Sequence, residues 1–365
     1  MTAAQSYSSP AEMVDLFAGP GGLDVAARWL GVSVTGIEWD ANACETRKEA
    51  LLDTRKGDVR HYGPTNFPNA KFLAGGPPCQ TYTVAGNGAG RRALDRVLEF
   101  VKRMGAGEDV RTTLSELDDD RTGLVLEPLR WALEAYELKR PFEAIVLEQV
   151  PAVLPVWQAM KEPLEAIGYH VDCGILRTEQ YGVPQTRRRA ILIAHRSQTV
   201  SLPQPTHRSY RKSAEAAETD NGLLPWETMG SALAKTRKHP FVVVSNYGTG
   251  GDPKARGRRL SSEPSATVTG KVSRNRLEGP DGCELGRLSP KEAGRLQTFP
   301  LDYPWSGNDI SQQIGNAIPP RLAAHVLAAA LGRNLDEASL KAAVAAKWSK
   351  SFGALGDAIS ATTAP

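Results

Sequence analysis

The chain opens with a strand, a glycine turn, a helix and a second strand, and this order constrains the fold more than any other feature. The apolar run at 13–18 leads into Gly19-Pro20-Gly21-Gly22. Apolar residues at 23–30 have the spacing of an amphipathic helix, and a second apolar run at 33–37 ends in Glu38. This is the layout of a nucleoside-binding βαβ unit, in which the acid binds the ribose hydroxyls. We therefore predict an α/β fold built on a parallel sheet.

The glycine turn also limits the ligand. A dinucleotide fingerprint would have its third glycine where this chain has Asp24, which argues against a nicotinamide or flavin and leaves a nucleoside without a pyrophosphate. S-adenosylmethionine fits that description, with Trp39 placed to stack on the base. Asp58, at the predicted end of a third strand, could accept from the adenine amino group. The alternatives are that the glycines serve only a tight turn and that Gly57-Asp58 is an exposed turn.

A second loop places a cysteine directly after a strand. Phe72–Ala74 are apolar and are followed by Gly75-Gly76-Pro77-Pro78-Cys79-Gln80, in which the prolines stiffen the backbone. A free cysteine is most often a small buried apolar residue. A papain-type thiol would need a histidine, but the 6 histidines lie in no nucleophile signature. These residues favour a reaction that uses a thiol without a histidine base.

Polar residues interrupt an otherwise apolar strand at 143–150. Burial there should raise the pKa of Glu148, so that it could hold a proton near neutral pH; salt-bridging at a strand end is the alternative. Further on, Gln185, Arg187 and Arg189 alternate at the strand period and should share one face. Between these segments and Cys79, the glycine-bearing stretch 86–123 contains a predicted helix at 93–104 and is a candidate lid.

Composition restricts the partners. No apolar run is long enough to cross a membrane and no signal peptide is evident, so we expect a cytoplasmic protein. The 4 cysteines have no C-x-x-C spacing, so we expect neither disulfides nor a metal site. The net charge is only +3, but basic residues cluster at 187–212 and 254–276. Such clusters suit a polyanion, although a solvated basic face is the alternative.

The regular pattern weakens after residue 195 and returns at a capping box, Ser289-Pro290-Lys291-Glu292. We predict a catalytic domain formed by 1–195 and about 310–335. Residues 196–309 would form a smaller, mostly irregular β domain with short strands near 241–245 and 266–269. The last part, 336–365, is predicted to contain one helix and a disordered tail.

The order of these motifs resembles the DNA cytosine C5 methyltransferases of bacteria and phages. The resemblance covers residues 13 to about 326. It is carried by DLFAGPGG at 15–22, GGPPCQ at 75–80, EQV at 148–150, QTRRR at 185–189, RLSPKEAGRLQTFP at 287–300 and QIGNAIPP at 313–320.

The resemblance implies a Rossmann-like class I methyltransferase domain with a target recognition domain that binds double-stranded DNA. Cys79 would attack C6 of a flipped-out cytosine and Glu148 would engage N3, while Arg187 and Arg189 would hold the base carbonyl and Glu148. The enzyme would act as a monomer, and a cognate restriction endonuclease could accompany it. The implied contacts to S-adenosylmethionine are Phe17, Gly19, Gly21, Gly22, Leu23, Glu38, Trp39, Asp58, Pro78, Asn316 and Ala317.

Two departures from the family pattern stand out. Gln149 replaces an asparagine that positions the nucleophile loop, so activity could be lowered or the loop could be reset to suit; on this basis we expect Gln149→Asn to keep or raise turnover. The stretch 86–123 is longer than the usual lid, and we expect Arg91, Arg92 and the helix at 93–104 to contact the DNA backbone. Alternative functions are a tRNA cytosine methyltransferase and a catalytically weakened DNA-binding or regulatory homologue.

Overall fold

The larger part of the molecule is built on a seven-stranded sheet. The computed structural model describes residues 11–78, 88–114, 122–212, 222–246 and 257–348. The strands are β1 Met13–Leu16, β2 Val34–Glu38, β3 Asp53–Lys56, β4 Phe72–Gly75, β5 Ala144–Gln149, β6 His170–Arg177 and β7 Arg188–His195. Their order is β3-β2-β1-β4-β5-β7-β6, with β7 antiparallel to both of its neighbours and the remaining pairs parallel. The predicted α/β fold is confirmed.

Helices cover both faces of this sheet. They are α1 Gly22–Trp29, α2 Ala41–Glu49, α3 Gly88–Gly105, α4 Arg111–Leu114, α5 Glu127–Glu137, α6 Leu154–Ala166, α7 Met229–Ala232, α8 Pro290–Leu296, α9 Ile310–Asn316, α10 Pro320–Ala330 and α11 Glu337–Ala345. Helices α1 and α10 pack on one face, and α3, α5 and α6 on the other. Strand β5 is buried along its whole length because both of its faces are covered, which explains its nearly continuous apolar sequence.

The smaller part has its own apolar core under a three-stranded antiparallel sheet. Its strands are β8 Val242–Val244, β9 Arg258–Leu260 and β10 Arg276–Glu278, in the order β10-β8-β9. Met229, Phe241, Val268 and Leu277 are buried together beneath it. The predicted strand at 266–269 does not form, because that segment bonds mainly to the turn before β7.

This turn, residues 178–187, joins the two parts. The Thr186 N–H donates to the Ser265 carbonyl at 2.8 Å, and the Thr267 hydroxyl donates to the Thr186 carbonyl at 2.8 Å. The Gln185 side chain accepts from the Val268 N–H at 2.7 Å and donates to Gln297 at 2.7 Å. Since these bonds are buried or partly buried, the turn fixes how the smaller part sits over the edge of the sheet.

The helix predicted after Asp336 is present as α11, and it belongs to the main core. Leu340, Ala343 and Val344 pack with α1 and α10, as does Trp348. The indole of Trp348 donates to the Ala50 carbonyl at 3.1 Å, and the Arg28 guanidinium lies 4.2 Å from its ring centroid. The tail predicted beyond it lies outside the described residues.

The helix predicted at 93–104 is also present, as part of α3. Its residues Val97, Phe100 and Val101 are buried against α6, so this helix is packed into the large domain. The side chains of Arg91 and Arg92 lie outside what the structure describes, and their predicted DNA contacts stay a prediction.

Asp24, the residue in place of a third glycine, has a structural partner. Its two carboxylate oxygens each accept from Arg47 of α2 at 2.8 Å, and both side chains are almost fully buried. Gly36 allows this pairing, since an added Cβ there would lie 2.1 Å from the Arg47 Nη2 atom.

We expect Asp24→Asn to lower the free energy of unfolding by about 3–5 kcal/mol, because it leaves the buried Arg47 charge without its partner. Urea unfolding measures this loss. Glu108→Gln breaks the more exposed ion pair to Arg103 and should cost no more than about 1 kcal/mol. Equal losses of stability in the two variants would contradict the structural role of the buried pair between Asp24 and Arg47.

Candidate active site

Of the three glycines in the turn after β1, Gly19 borders open space, whereas Gly21 and Gly22 are tightly packed. Phe17 and Gly19 have φ angles of 63° and 53°, which turn the chain sharply after the strand. A Cβ added to Gly19 would meet no heavy atom within 4 Å, whereas one on Gly21 would lie 2.3 Å from Leu52 and one on Gly22 2.4 Å from the Ile318 carbonyl. Gly19 therefore faces a space that a ligand can enter, while the other two glycines let the turn pack against its neighbours.

An acidic residue, Glu38, and an exposed indole, Trp39, lie at the end of β2. Glu38 accepts the Gly19 N–H at 2.7 Å and the Asp40 N–H at 2.6 Å; burial raises the pKa of its carboxyl, against the opposing effect of these bonds. Trp39 follows with 67% of its surface exposed. An aromatic face open to solvent beside a fixed carboxyl suits a nucleoside.

Asp58, at the end of the next strand, is held by an arginine that sequence reasoning missed. Arg60 donates to its carboxylate through Nη2 at 2.6 Å and Nε at 3.0 Å. Burial acts to raise the pKa of Asp58, but the hydrogen bonds from Arg60 outweigh it and lower that pKa. Asp58 is therefore an oriented, ionised acceptor. Only the two-residue spacing could have suggested this pairing.

Glu148 is buried at the end of β5 and paired with Arg189 of the neighbouring strand. Arg189 Nε contacts Glu148 Oε1, and the Glu148 side chain is 5% exposed. Burial raises the pKa of Glu148, with Arg189 acting in the opposite direction. The carboxyl can therefore carry a proton at a higher pH than an exposed glutamate. The raised pKa and the salt bridge, which the sequence offered as alternatives, are both present.

The loop that leads to Cys79 begins beside this carboxyl. Gly76 donates its N–H to the Leu16 carbonyl at 3.1 Å, and a Cβ on Gly76 would lie 3.5 Å from Glu148 Oε2. Pro78 is the last described residue of the loop, and Cys79 itself lies outside the described residues. The structure thus brings the start of the nucleophile loop and the predicted acid together.

Gln149 fastens this loop. Its side-chain amide donates to the Pro77 carbonyl, and its Oε1 accepts the Val150 N–H at 2.6 Å. The longer side chain thus performs the positioning that the resemblance assigns to asparagine, which favours a loop reset to suit glutamine.

This geometry changes our expectation for Gln149→Asn. Because asparagine is one methylene shorter, it cannot reach the Pro77 carbonyl without a shift of the loop, so we now expect about a ten-fold loss in single-turnover rate. Gln198→Asn, on an exposed turn, is the control and should leave the rate unchanged. An unchanged or higher rate for Gln149→Asn would restore the earlier expectation.

Arg187 is held by carbonyl groups of distant segments. Its guanidinium is buried and donates to the carbonyls of Val268 at 2.8 Å, Gly315 at 2.9 Å and Ala317 at 3.3 Å. The sequence predicted that Gln185, Arg187 and Arg189 share one face of a strand, but Gln185 and Arg187 lie in the turn before β7, which begins at Arg188. Of the two arginines, only Arg189 contacts the predicted acid, while Arg187 joins the smaller domain to the segment after α9.

That segment carries the last predicted cofactor residues. Asn316 is exposed at the end of α9 and accepts from the Gln312 amide at 2.7 Å, and Ala317 is buried beside it. Leu23 is buried at the start of α1. Among the described residues, no group of three or more His, Cys, Asp and Glu side chains is placed to hold a metal ion.

A cavity of about 540 Å³ opens between the two parts of the molecule, next to Arg189. Its walls include Arg177, Glu179 and Arg188 from the sheet edge and Tyr210 and Arg259 from the smaller part. Arginines on both sides make this cleft positive, as a site for a polyanion requires.

A family model, C-5 cytosine-specific DNA methylase, matches residues 11–101 and 114–331. The chain belongs to this family. C-5 cytosine-specific DNA methylases transfer a methyl group to C5 of cytosine in DNA, which establishes this chain as an enzyme of that reaction. The motif order in the sequence had predicted the same family.

Individual relatives of this methylase agree over most of its length. It is 26% identical to the type II methyltransferase M1.HphI of Haemophilus parahaemolyticus over 91% of this chain and 89% of the relative. It is 27% identical to the type II methyltransferase M.AplI of Arthrospira platensis over 85% of this chain and 83% of the relative. A crystal structure described as a DNA modification methyltransferase from an E. coli prophage has a TM-score of 0.58 at 18% identity, covering 88% of this chain and 98% of that one, and shows the same class I methyltransferase fold.

Proposed function

We propose that this chain transfers the methyl group of S-adenosylmethionine to C5 of a cytosine flipped out of duplex DNA, through a covalent bond between Cys79 and C6. The observation that carries the proposal is the convergence at the end of β5. There Glu148 is paired with Arg189, a Cβ added to Gly76 at the start of the nucleophile loop would lie 3.5 Å from Glu148 Oε2, and Gln149 holds Pro77 two residues before Cys79. The loop that leads to the thiol therefore starts beside an acid, and addition to a pyrimidine needs both groups.

The thiol and the acid divide the chemistry. C6 of cytosine is a poor electrophile, so the Cys79 thiolate must add there while Glu148 donates to N3 and compensates the charge that develops on the ring. S-adenosylmethionine would supply the methyl group that the enamine-like C5 carbon takes, and would leave as S-adenosylhomocysteine. Loss of the C5 proton to a base or water then expels the thiolate and restores the double bond between C5 and C6, while N3 returns its proton to Glu148. Arg189 keeps the Glu148 carboxyl oriented throughout.

The cofactor would lie along the carboxyl ends of β1, β2 and β3. Gly19 borders the space, Glu38 would bind the ribose, Trp39 would stack on the adenine, and Asp58, oriented by Arg60, would accept from its amino group. Phe17, Pro78 and Asn316 would complete the contacts to the methionine part. The packing of Gly21 and Gly22 suggests that they shape the turn and make little direct contact.

Trp39→Ala should weaken binding of S-adenosylhomocysteine by about ten-fold or more, since stacking of a base on an aromatic side chain contributes about 1–3 kcal/mol. Titration calorimetry measures the change. Leu51→Ala removes an equally exposed apolar side chain outside the proposed site and is the matched control. Equal affinities in the wild type and Trp39→Ala would place the nucleoside elsewhere.

We further propose that the DNA lies in the positive cleft and that the enzyme is the modification partner of a type II restriction endonuclease, as the names of its relatives suggest for them. No described helix is long and apolar enough to span a membrane. The cytoplasmic compartment and the monomeric state stay predictions from the sequence, as do the domain limits at 195 and 310.

Base-resolution mapping of 5-methylcytosine in DNA from cells that express the chain tests this function. We expect methylation of one cytosine within a defined short sequence, and none with Cys79→Ala. Methylation confined to tRNA would support the tRNA alternative, and its absence from both nucleic acids would support a regulatory homologue.

A further inference from the structure

An acidic side chain lines the positive cleft with one carboxylate oxygen unpaired among the described residues. Glu179 is 4% exposed, and among the described residues its Oε2 atom has no hydrogen-bond partner. It lines the same cavity as Arg189, the residue that holds the catalytic acid. A buried acceptor without a hydrogen bond costs free energy. Its presence here therefore indicates a ligand that donates a hydrogen bond to Glu179.

The surroundings of Glu179 fix what that ligand can be. Burial raises the pKa of its carboxyl, while Arg177, Arg188 and Arg259 act to lower it. Arg259 lies 3.7 Å from Glu263 and stacks at 4.7 Å from the Tyr210 ring, so its guanidinium is already engaged at the cleft wall. Glu179 therefore lies in a region of positive potential, where the three arginines offset part of the cost of burying its carboxylate.

The backbone holds Glu179 rigidly in this position. It belongs to the turn 178–187, in which the Thr178 N–H donates to the Arg187 carbonyl at 2.9 Å and the Thr178 hydroxyl to the Gln185 carbonyl at 2.6 Å. The same turn is bonded to the smaller domain at Ser265 and Thr267. Since both ends are fixed, the main chain of Glu179 keeps its position in the cleft wall.

A carboxylate in a DNA cleft repels phosphates, so it cannot serve affinity for the backbone. It can only accept hydrogen bonds, and the donors that DNA offers are the N–H groups of its bases, chiefly the exocyclic amino groups of cytosine and adenine. Thymine offers an acceptor and a methyl group in their place. A buried acceptor therefore favours an amino-bearing base and penalises thymine.

We propose, on the basis of the function proposed above, that Glu179 is a specificity-determining residue, whose carboxylate accepts a hydrogen bond from the exocyclic amino group of one base in the target sequence close to the methylated cytosine. The neighbouring arginines hold the phosphates on either side of that base. Glu179 takes no part in the methyl transfer itself.

The test compares the wild type with Glu179→Gln and Glu179→Ala. Glutamine has the same shape as glutamate but can also donate to the thymine carbonyl. The Glu179→Gln variant should therefore discriminate against thymine at one position of the target at least about ten-fold less than the wild type does. Mapping of 5-methylcytosine identifies the position, and kcat/KM on duplexes that vary only there gives the ratio. Glu284→Gln, on the exposed surface of the smaller domain, is the control and should keep the wild-type ratio.

Three results would overturn the inference. The first is a uniform loss of activity at every site with the target sequence unchanged, which would make Glu179 a partner of its arginines only. The second is no change in discrimination at all. The third is a loss of folding or of S-adenosylhomocysteine affinity in Glu179→Gln. Absence of 5-methylcytosine in DNA with the wild type would instead refute the proposed function, so the two failures are distinguishable.

Discussion

We expect Cys79→Ala to abolish methyl transfer, with a loss on the order of 10⁴-fold or more, because the proposed mechanism depends on the bond from Cys79 to C6 that activates C5. Binding of S-adenosylhomocysteine and of duplex DNA should remain near wild type, since neither contact needs the thiol. The measurement is the single-turnover rate with tritiated S-adenosylmethionine and a duplex that contains the mapped target.

The other cysteines supply the controls for this variant. Burial raises the pKa of the Cys173 thiol on β6, which disfavours the reactive thiolate. Cys283 is exposed on the smaller domain. We expect Cys173→Ala and Cys283→Ala to retain wild-type rates. Substantial methylation by Cys79→Ala would contradict the covalent mechanism even if the DNA product were 5-methylcytosine.

Glu148→Gln should lower the single-turnover rate by about 100- to 10,000-fold, the usual contribution of a positioned acid. The pH profile distinguishes loss of the acid from a disturbed site. Burial raises the pKa of Glu148 above the ordinary value of 4.5, so the protonated form persists to higher pH and the wild-type rate should fall as pH rises through that raised pKa. The glutamine variant has no proton to lose, and this falling limb should disappear.

Glu143→Gln is the matched control, since this exposed residue directly precedes β5. It should keep both the rate and the falling limb. If Glu148→Gln lost rate but retained the same limb, another group would be responsible for that ionisation, and Glu148 would only position the base.

Sequence reasoning predicted the fold where local pattern and tertiary structure agree. The turn at 19–22 and the strands β1, β2 and β5 each have their own periodicity, and the capping box at Ser289 forms as expected, with Ser289 Oγ accepting the Glu292 N–H at 3.2 Å. The smaller domain was harder, because strands of three residues have too few positions to show a period. Its segment 266–269 is held mainly by the turn before β7, which no local pattern indicates.

The candidate site divides in the same way. The pattern placed Glu148 at a strand end. It also predicted one strand face for Arg187 and Arg189, but Arg187 lies in the turn before β7 and binds distant carbonyls, and only Arg189 contacts the acid. The reach of Gln149 to Pro77 depends on the register of β4 against β5. Glu179 lies in a short turn between strands, where no periodicity marks a residue as buried, and so it was missed.

Trapping with 5-fluorocytosine tests the central claim most directly, because fluorine at C5 cannot be removed as a proton and the adduct cannot resolve. With S-adenosylmethionine and a duplex that carries 5-fluorocytosine at the target position, we predict a complex that survives denaturation, with the mass of protein, DNA and one methyl group. Its peptide map should place the linkage at Cys79. No covalent complex with DNA, or one that persists in Cys79→Ala, would contradict the account.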